Sequence, residues 1–280
     1  MKYPHIQDSH TNGSQKLLHL FHPLFFVLML LGQSFFSLAQ SEVPVEKNQA
    51  ISNTPTTKQT VHWGTGFVID NEYLLTAWHV VQSQKQILVG PILSGRWVLA
   101  EVVQSDAKLD LALLKARINL PPLWLSPGNQ IPHGLEVSVI GFPQPKMQGL
   151  SKKISQGIVN GYRTDQEQAL DTGFIQFSAE VAQGNSGGPV FGPDGTVIGM
   201  VQRKLNSEKL TDFGANSNVS FAIRSSALIK FLQNGPANPR QRQVSIETLL
   251  RPYQVFNQSQ ASVLAVIARD ALIPEAAKSP

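Results

Sequence analysis

Residues 184–190 read Gly184-Asn185-Ser186-Gly187-Gly188-Pro189-Val190, a serine framed by glycines and followed by proline and the start of an apolar run. Glycines permit backbone angles that a Cβ forbids. They also let backbone N–H groups come close to a ligand. A serine nucleophile needs such donors, because the tetrahedral intermediate of acyl transfer carries an oxyanion. The same stretch alone could be a tight turn. Its meaning depends on whether a base and an orienting carboxylate stand elsewhere in the chain.

Working outward, the surrounding sequence has the texture of a β protein. Residues 61–70 (VHWGTGFVID) are β-branched and aromatic with Gly64 and Gly66 inside, and residues 73–76 follow after the turn Asn71-Glu72. This pattern predicts a hairpin. Residues 77–81 (AWHVV) then predict a short helical turn. Further strands are expected at 86–90, 97–104, 111–116, 135–142, 154–162, 174–177, 188–191, 197–203 and 219–223, with turn signals such as Pro193-Asp194-Gly195 between them. Many short strands with little helix indicate an all-β sandwich or barrel. The clearest helix is 224–234 (RSSALIKFLQN), with Ser225 or Ser226 as its cap and Gly235 after its end. Residues 236–242 read as a linker. Residues 259–272 (SQASVLAVIARDAL) read as helical up to Pro274.

Three residues at strand edges could form one machine. His79 follows Leu-Leu-Thr-Ala-Trp, Asp110 follows Lys108-Leu109, and Ser186 lies in the glycine stretch. A serine hydroxyl is barely ionised at neutral pH, so a neutral imidazole must take its proton as it attacks. The imidazole in turn needs a carboxylate to hold its tautomer and to stabilise the imidazolium. Asp106, in the turn QSDAKL, is the nearest rival to Asp110, and turn chemistry is its expected role. His62 and His133 have no comparable company and are read as surface or structural residues.

The segments LTAWHVV, DLALLK and GNSGGPV resemble the chymotrypsin-like (trypsin-fold) serine proteases, and GTGFVI and VSFAI bring the resemblance closest to the bacterial HtrA/Deg-like branch. The resemblance spans residues 64–224. It implies an all-β fold of two packed six-stranded β-barrels with the active site in the crevice between them, to which the residue pattern adds a C-terminal helix and a helical tail. It implies His79 as general base, Asp110 as its orienting partner and Ser186 as nucleophile. The backbone N–H groups of Gly184 and Ser186 would form the oxyanion hole.

Two departures from the relatives narrow this expectation. Digestive-type relatives carry aspartate before the serine, to pair with a newly cut N-terminus. Asn185 cannot make that ion pair, so activation by N-terminal cleavage is not expected. HtrA-like proteases also append PDZ domains, for which this sequence ends too early. In this fold the residue six before the serine, here Glu180, lies near the base of the primary substrate pocket, with Ser220 near the pocket wall. A buried, unpaired carboxylate at Glu180 would favour a basic side chain before the scissile bond. The alternative is that Glu180 turns away or pairs with Arg203.

The bulk properties bound the rest. The chain has 280 residues, 42% of them hydrophobic, enough for a core. A net charge of +4 with scattered basic residues argues against nucleic-acid binding. No cysteine is present, so there is no disulfide framework and no thiol nucleophile. No ligand cluster is visible, so no metal or organic cofactor is implied. Lys2 and Lys16, the apolar run 24–32 (LFFVLMLLG) and the small residues Ser37-Leu38-Ala39 read as a signal peptide over 1–39, cleaved before Gln40. The apolar run falls short of the roughly 20 residues of a spanning helix. Membrane anchoring by an uncleaved N-terminus is the alternative; either way the rest of the chain is extracytoplasmic, periplasmic or secreted.

The expected organisation is a signal peptide at 1–39, a flexible leader at 40–60, a protease domain at 61–235, and a linker with a helical tail at 236–280. The function expected is a serine endopeptidase acting on proteins or peptides, homo-oligomeric assembly being open. A non-catalytic scaffold on the same fold, or an esterase using the same triad, are the alternatives.

Overall fold

The computed structural model describes residues 60–91, 95–128, 130–164, 171–202 and 220–270. The expected signal, nearly all of the expected leader, and Arg203 lie outside them. Twelve strands form two closed barrels of six. The first barrel contains β1 (Val61–Asp70), β2 (Tyr73–Ala77), β3 (Gln86–Gly90), β4 (Val98–Asp106) and β5 (Leu111–Ala116). The second is built from β6 (Glu136–Gly141), β7 (Lys153–Thr164), β8 (Asp171–Phe177), β9 (Pro189–Phe191), β10 (Val197–Val201) and β11 (Ser220–Arg224). Among the described residues, four short α-helices accompany them: α1 (Trp78–Val81), α2 (Pro145–Gln148), α3 (Ser225–Leu232) and α4 (Pro252–Ser259). Among the described residues, no helix is long and apolar enough to cross a membrane.

The sixth strand of the first barrel comes from the far end of the chain. It is β12 (Val263–Arg269), antiparallel to β1 on one side and to β3 on the other. Around the second barrel the order is β6-β7-β8-β11-β10-β9, and around the first it is β12-β1-β2-β5-β4-β3. The two orders are the same winding, with β12 in the place that β6 takes as leading strand. The expectation of a helical tail is therefore corrected for this segment, and the protease fold runs on to Arg269 instead of ending at residue 235. The physical reason lies in burial on both faces. Leu264, Val266 and Ala268 point into the first barrel, while Val263 and Ala265 join the core between the barrels. A strand buried on both faces is a continuous apolar run, which periodicity cannot distinguish from a buried helix.

The alternation of side chains builds three cores. Val68, Leu74 and Leu114 fill the first barrel, and Val139, Ile175 and Phe177 fill the second. Phe67, Ile69, Leu111, Phe142 and Met200 pack in the seam between them. The residues read as a linker after α3 are a strap fastened to the second barrel. Leu125 N–H donates to Arg240 C=O (2.9 Å) and Arg242 N–H donates to Leu125 C=O (3.0 Å). Buried Asp194 accepts Ser245 N–H (3.0 Å), Thr196 N–H (2.9 Å) and the Thr196 hydroxyl (2.8 Å). The strap leads to α4 and so delivers β12 to the first barrel.

Neither serine caps α3. Arg224 is its N-cap residue, and Ser225 is buried with its hydroxyl donating to Ser126 C=O (2.5 Å).

If β12 completes the first barrel, Leu264→Ala should lower unfolding free energy by about 2–5 kcal/mol, as for other buried leucines. Ile246→Ala, in the strap at 61% exposure, should stay within about 0.5 kcal/mol. Urea unfolding of both variants checks this, and equal effects would place residues 263–269 outside the barrel.

Candidate active site

The seam between the barrels collects the residues singled out from the sequence. β2 ends at Ala77 and turns directly into α1, whose second residue is His79. The His79 backbone N–H donates to Asp110 Oδ1 (2.8 Å), and its ring Nδ1 lies 2.7 Å from Asp110 Oδ2. An ionised carboxylate only accepts hydrogen bonds, so Nδ1 carries the hydrogen. In the neutral ring the lone pair then falls on Nε2, the nitrogen facing away from Asp110. Both side chains are part-buried, at 28% and 21% exposure, so the pair is shielded without being sealed.

Asp110 is placed by the turn before β5. Its φ is +56°, a left-handed conformation that aspartate and asparagine tolerate better than most residues. Its C=O accepts Trp78 N–H (3.1 Å). Asp106 lies in the same turn and does turn chemistry. Its Oδ1 accepts the N–H groups of Lys108 and Leu109, both at 2.9 Å. From the other barrel, Gln202 Nε2 donates to Leu109 C=O (2.9 Å), tying the end of β10 to the Asp110 turn.

Ser186 lies in the irregular segment before β9 and is 8% exposed. The glycines beside it are needed for different reasons. Gly184 has φ +102°, and a Cβ there would lie 2.2 Å from Phe142 O. A Cβ at Gly187 would lie 2.4 Å from Thr65 O and 2.6 Å from Ala77 N, so this glycine lets the loop seat against β1 and the start of α1. The neighbouring strand shows the same closeness. A Cβ on Gly64 would be 2.7 Å from Val80 Cγ2 and 3.1 Å from Ser186 O. Ser186 and the turn carrying His79 thus flank one point of β1.

Among the described residues, the N–H groups of Gly184 and Ser186 donate to no other group. The N–H groups between and after them are engaged, Asn185 to Ala182 C=O (3.0 Å) and Gly187 to Val201 C=O (2.9 Å). The Asn185 side chain is buried, with its Oδ1 2.6 Å from where a Cβ of Gly141 would be. Lys152 stands near the loop, with Nζ 5.9 Å from the Phe142 ring centre, and burial pushes its ammonium below the ordinary lysine value.

The residues expected to shape the substrate pocket fare differently. Glu180 is exposed, and its backbone C=O accepts the Ser155 hydroxyl (2.7 Å). Of the two readings of Glu180, its exposure fits the one in which it is not buried, and a solvated carboxylate carries no burial cost for a basic side chain to relieve. Ser220 is buried, and its hydroxyl donates to Ala179 C=O (3.0 Å). Thr65 was not among the sequence candidates, although it is fully buried and touches the Ser186 loop directly. Its sequence signal is its place between Gly64 and Gly66 in the strand 61–70.

Residues 64–200 match the model of the trypsin-like peptidase domain. A probable periplasmic serine endoprotease, DegP-like, from Halomonas elongata is 37% identical over 162 residues, covering 57% of this chain and 32% of that protein. The magnetosome formation protease MamE of Magnetospirillum gryphiswaldense is 32% identical over 179 residues, 61% of this chain and 22% of that protein. Among solved structures, the HtrA-type protease AlgW with decapeptide aligns with TM-score 0.51 and 30% identity, covering 61% of this chain and 50% of that chain. The chain thus spans about a third of the length of the DegP-like relative it matches. Two closed β-barrels with a His–Asp pair and a glycine-framed serine at their seam define a chymotrypsin-like serine-protease fold. Residues 64–200 match a trypsin-like peptidase domain and are similar to the HtrA/DegP-like serine endoproteases.

The His79–Asp110 contact makes a spectroscopic prediction. The Nδ1 hydrogen should give a far-downfield proton NMR resonance that Asp110→Asn removes. Asparagine tolerates the positive φ, so the variant should keep its fold by circular dichroism. A downfield signal unchanged in Asp110→Asn would contradict the pairing.

Proposed function

We propose that this protein is an extracytoplasmic serine endopeptidase that cleaves protein or peptide chains through an acyl-enzyme on Ser186. The observation that carries the reading is the His79 ring, held at Nδ1 by Asp110 beside a loop with two unengaged N–H groups. His79 Nε2 takes the hydroxyl proton as Ser186 Oγ attacks the scissile carbonyl carbon. The imidazolium so formed is stabilised by Asp110, which remains ionised. The carbonyl oxygen becomes an oxyanion, received by the N–H groups of Gly184 and Ser186. As the C–N bond breaks, His79 returns the proton to the leaving amine. Water then enters, His79 takes its proton, and hydroxide addition to the ester releases the new carboxyl end and restores the Ser186 hydroxyl.

Several features support this reading over a binding scaffold. Both oxygens of Asp110 are aimed at His79, which orients the ring more tightly than packing alone requires. Leaving two N–H groups without partners inside a well-bonded loop is unfavourable unless a ligand oxygen completes them. The extracytoplasmic assignment is supported by the periplasmic naming of the DegP-like relatives and by the signal pattern over residues 1–39.

The test is hydrolysis of denatured casein together with labelling by a fluorophosphonate. Wild type should cleave and become labelled, while Ser186→Ala should lose at least about 10³-fold in kcat and all of the label. Equal labelling of the two would remove Ser186 as nucleophile. A wild-type protein with neither label nor turnover would be a scaffold on a protease fold.

A further inference from the structure

The loop around Ser186 has an unusual hydrogen-bond pattern when taken one peptide plane at a time. Four planes join residues 183 to 187. The carbonyl of every one is engaged: Gln183 C=O accepts Gln144 N–H (2.6 Å), Gly184 C=O accepts the Thr65 hydroxyl (2.6 Å), Asn185 C=O accepts Gly188 N–H (2.8 Å), and Ser186 C=O accepts Thr65 N–H (2.9 Å). The N–H groups alternate. Those of Asn185 and Gly187 are engaged, and those of Gly184 and Ser186 have no partner among the described residues. The two planes with both ends held are the two that Thr65 touches.

Thr65 does this from the opposite barrel. It lies in β1, fully buried, and its hydroxyl makes two contacts at once. It donates to Gly184 C=O and accepts Phe142 N–H (3.2 Å), the residue whose own carbonyl abuts Gly184. The Thr65 C=O accepts the Thr76 hydroxyl (2.8 Å), three residues before His79 on β2. One side chain and its backbone therefore join the Ser186 loop to the strand that leads into α1.

The physical need for such a tether comes from Gly184. A residue without Cβ can rotate its flanking peptides at little steric cost. Rotation of the plane that carries Gly184 C=O would let its neighbour turn, and the Gly184 N–H would lose its direction. A buried carbonyl without a donor would itself drive that rotation, because unsatisfied buried polar groups are costly. The Thr65 hydroxyl removes the drive by supplying the donor.

We propose that Thr65 is a positioning residue whose hydroxyl holds the Gly184 and Ser186 N–H groups convergent on one point. This rests on reading those two groups as the oxyanion donors. It acts on the developing oxyanion through the loop and touches no substrate itself.

Steady-state kinetics on a chromogenic peptide with full-length protein tests it, using Thr65→Val, Thr65→Ser and Ser186→Ala. Valine matches threonine in shape and lacks the hydroxyl. Thr65→Val should lower kcat by about 10²–10³, the loss known for removing one oxyanion donor, with KM changed by less than about threefold. Thr65→Ser should restore kcat to within about threefold of wild type. Should the valine variant not fold, Thr65→Ala takes its place against Thr65→Ser. Wild-type kcat in a folded hydroxyl-free variant overturns the proposal, as does a serine variant as slow as the valine one. A change in KM alone also overturns it, since that would make Thr65 part of the substrate pocket. Turnover that survives Ser186→Ala would instead overturn the nucleophile assignment, so the two failures are distinguishable.

Discussion

The site depends on a seam of hydrogen bonds between one strand of the first barrel and an irregular loop of the second. The loop from Gln183 to Gly187 has no ladder of its own to satisfy its backbone. Buried backbone groups must nevertheless be paired. β1 meets part of that demand at Thr65, whose hydroxyl and N–H take the carbonyls of Gly184 and Ser186, on either side of Asn185. Among the described residues, what remains unengaged is the pair of N–H groups of Gly184 and Ser186. Conformational freedom at glycine and full engagement of the carbonyls act together: the first permits the shape, and the second holds it.

This dependence runs back through the fold to the end of the chain. Thr65 pairs with Ala265, and Gly64 with Val266, so β1 is held in register by β12 on the side away from β2. β12 in turn is delivered by the strap that Asp194, Thr196 and Ser245 fasten to the second barrel. Residues far beyond the peptidase-domain match at 64–200 are thus structurally continuous with the seam that holds His79 and Asp110. The first barrel repeats the winding of the second only because the last strand returns to lead it. His79 lies just after β2 and Asp110 just before β5, adjacent strands of that barrel paired from Tyr73↔Lys115 to Ala77↔Leu111. Any slip of that pairing would separate the imidazole from its carboxylate.

Much of this was legible in the sequence because its signals are local. Residues 61–70, 86–90 and 111–116 are β-branched or apolar runs closed by turn residues, and they became β1, β3 and β5 with those bounds. His79, Asp110 and Ser186 were found because each lies where a strand gives way to a turn. The failures are non-local. Residues 263–269 look the same as a strand or a buried helix, and only pairing with β1 and β3 decides. Ser225 has the right chemistry for a cap, yet the nearby Ser126 carbonyl takes its hydroxyl. Glu180 stands at the right spacing from Ser186, but spacing does not say which way a side chain faces. Thr65 could not be distinguished from any strand threonine until the loop that it holds was placed against it.

The central claim is that Ser186, activated by His79, forms a covalent acyl-enzyme. Stopped-flow measurement with an activated 4-nitrophenyl ester tests it directly. The structure predicts a rapid burst of about one nitrophenolate per chain, followed by slower turnover, and no burst in Ser186→Ala. A burst of equal size in Ser186→Ala would contradict it.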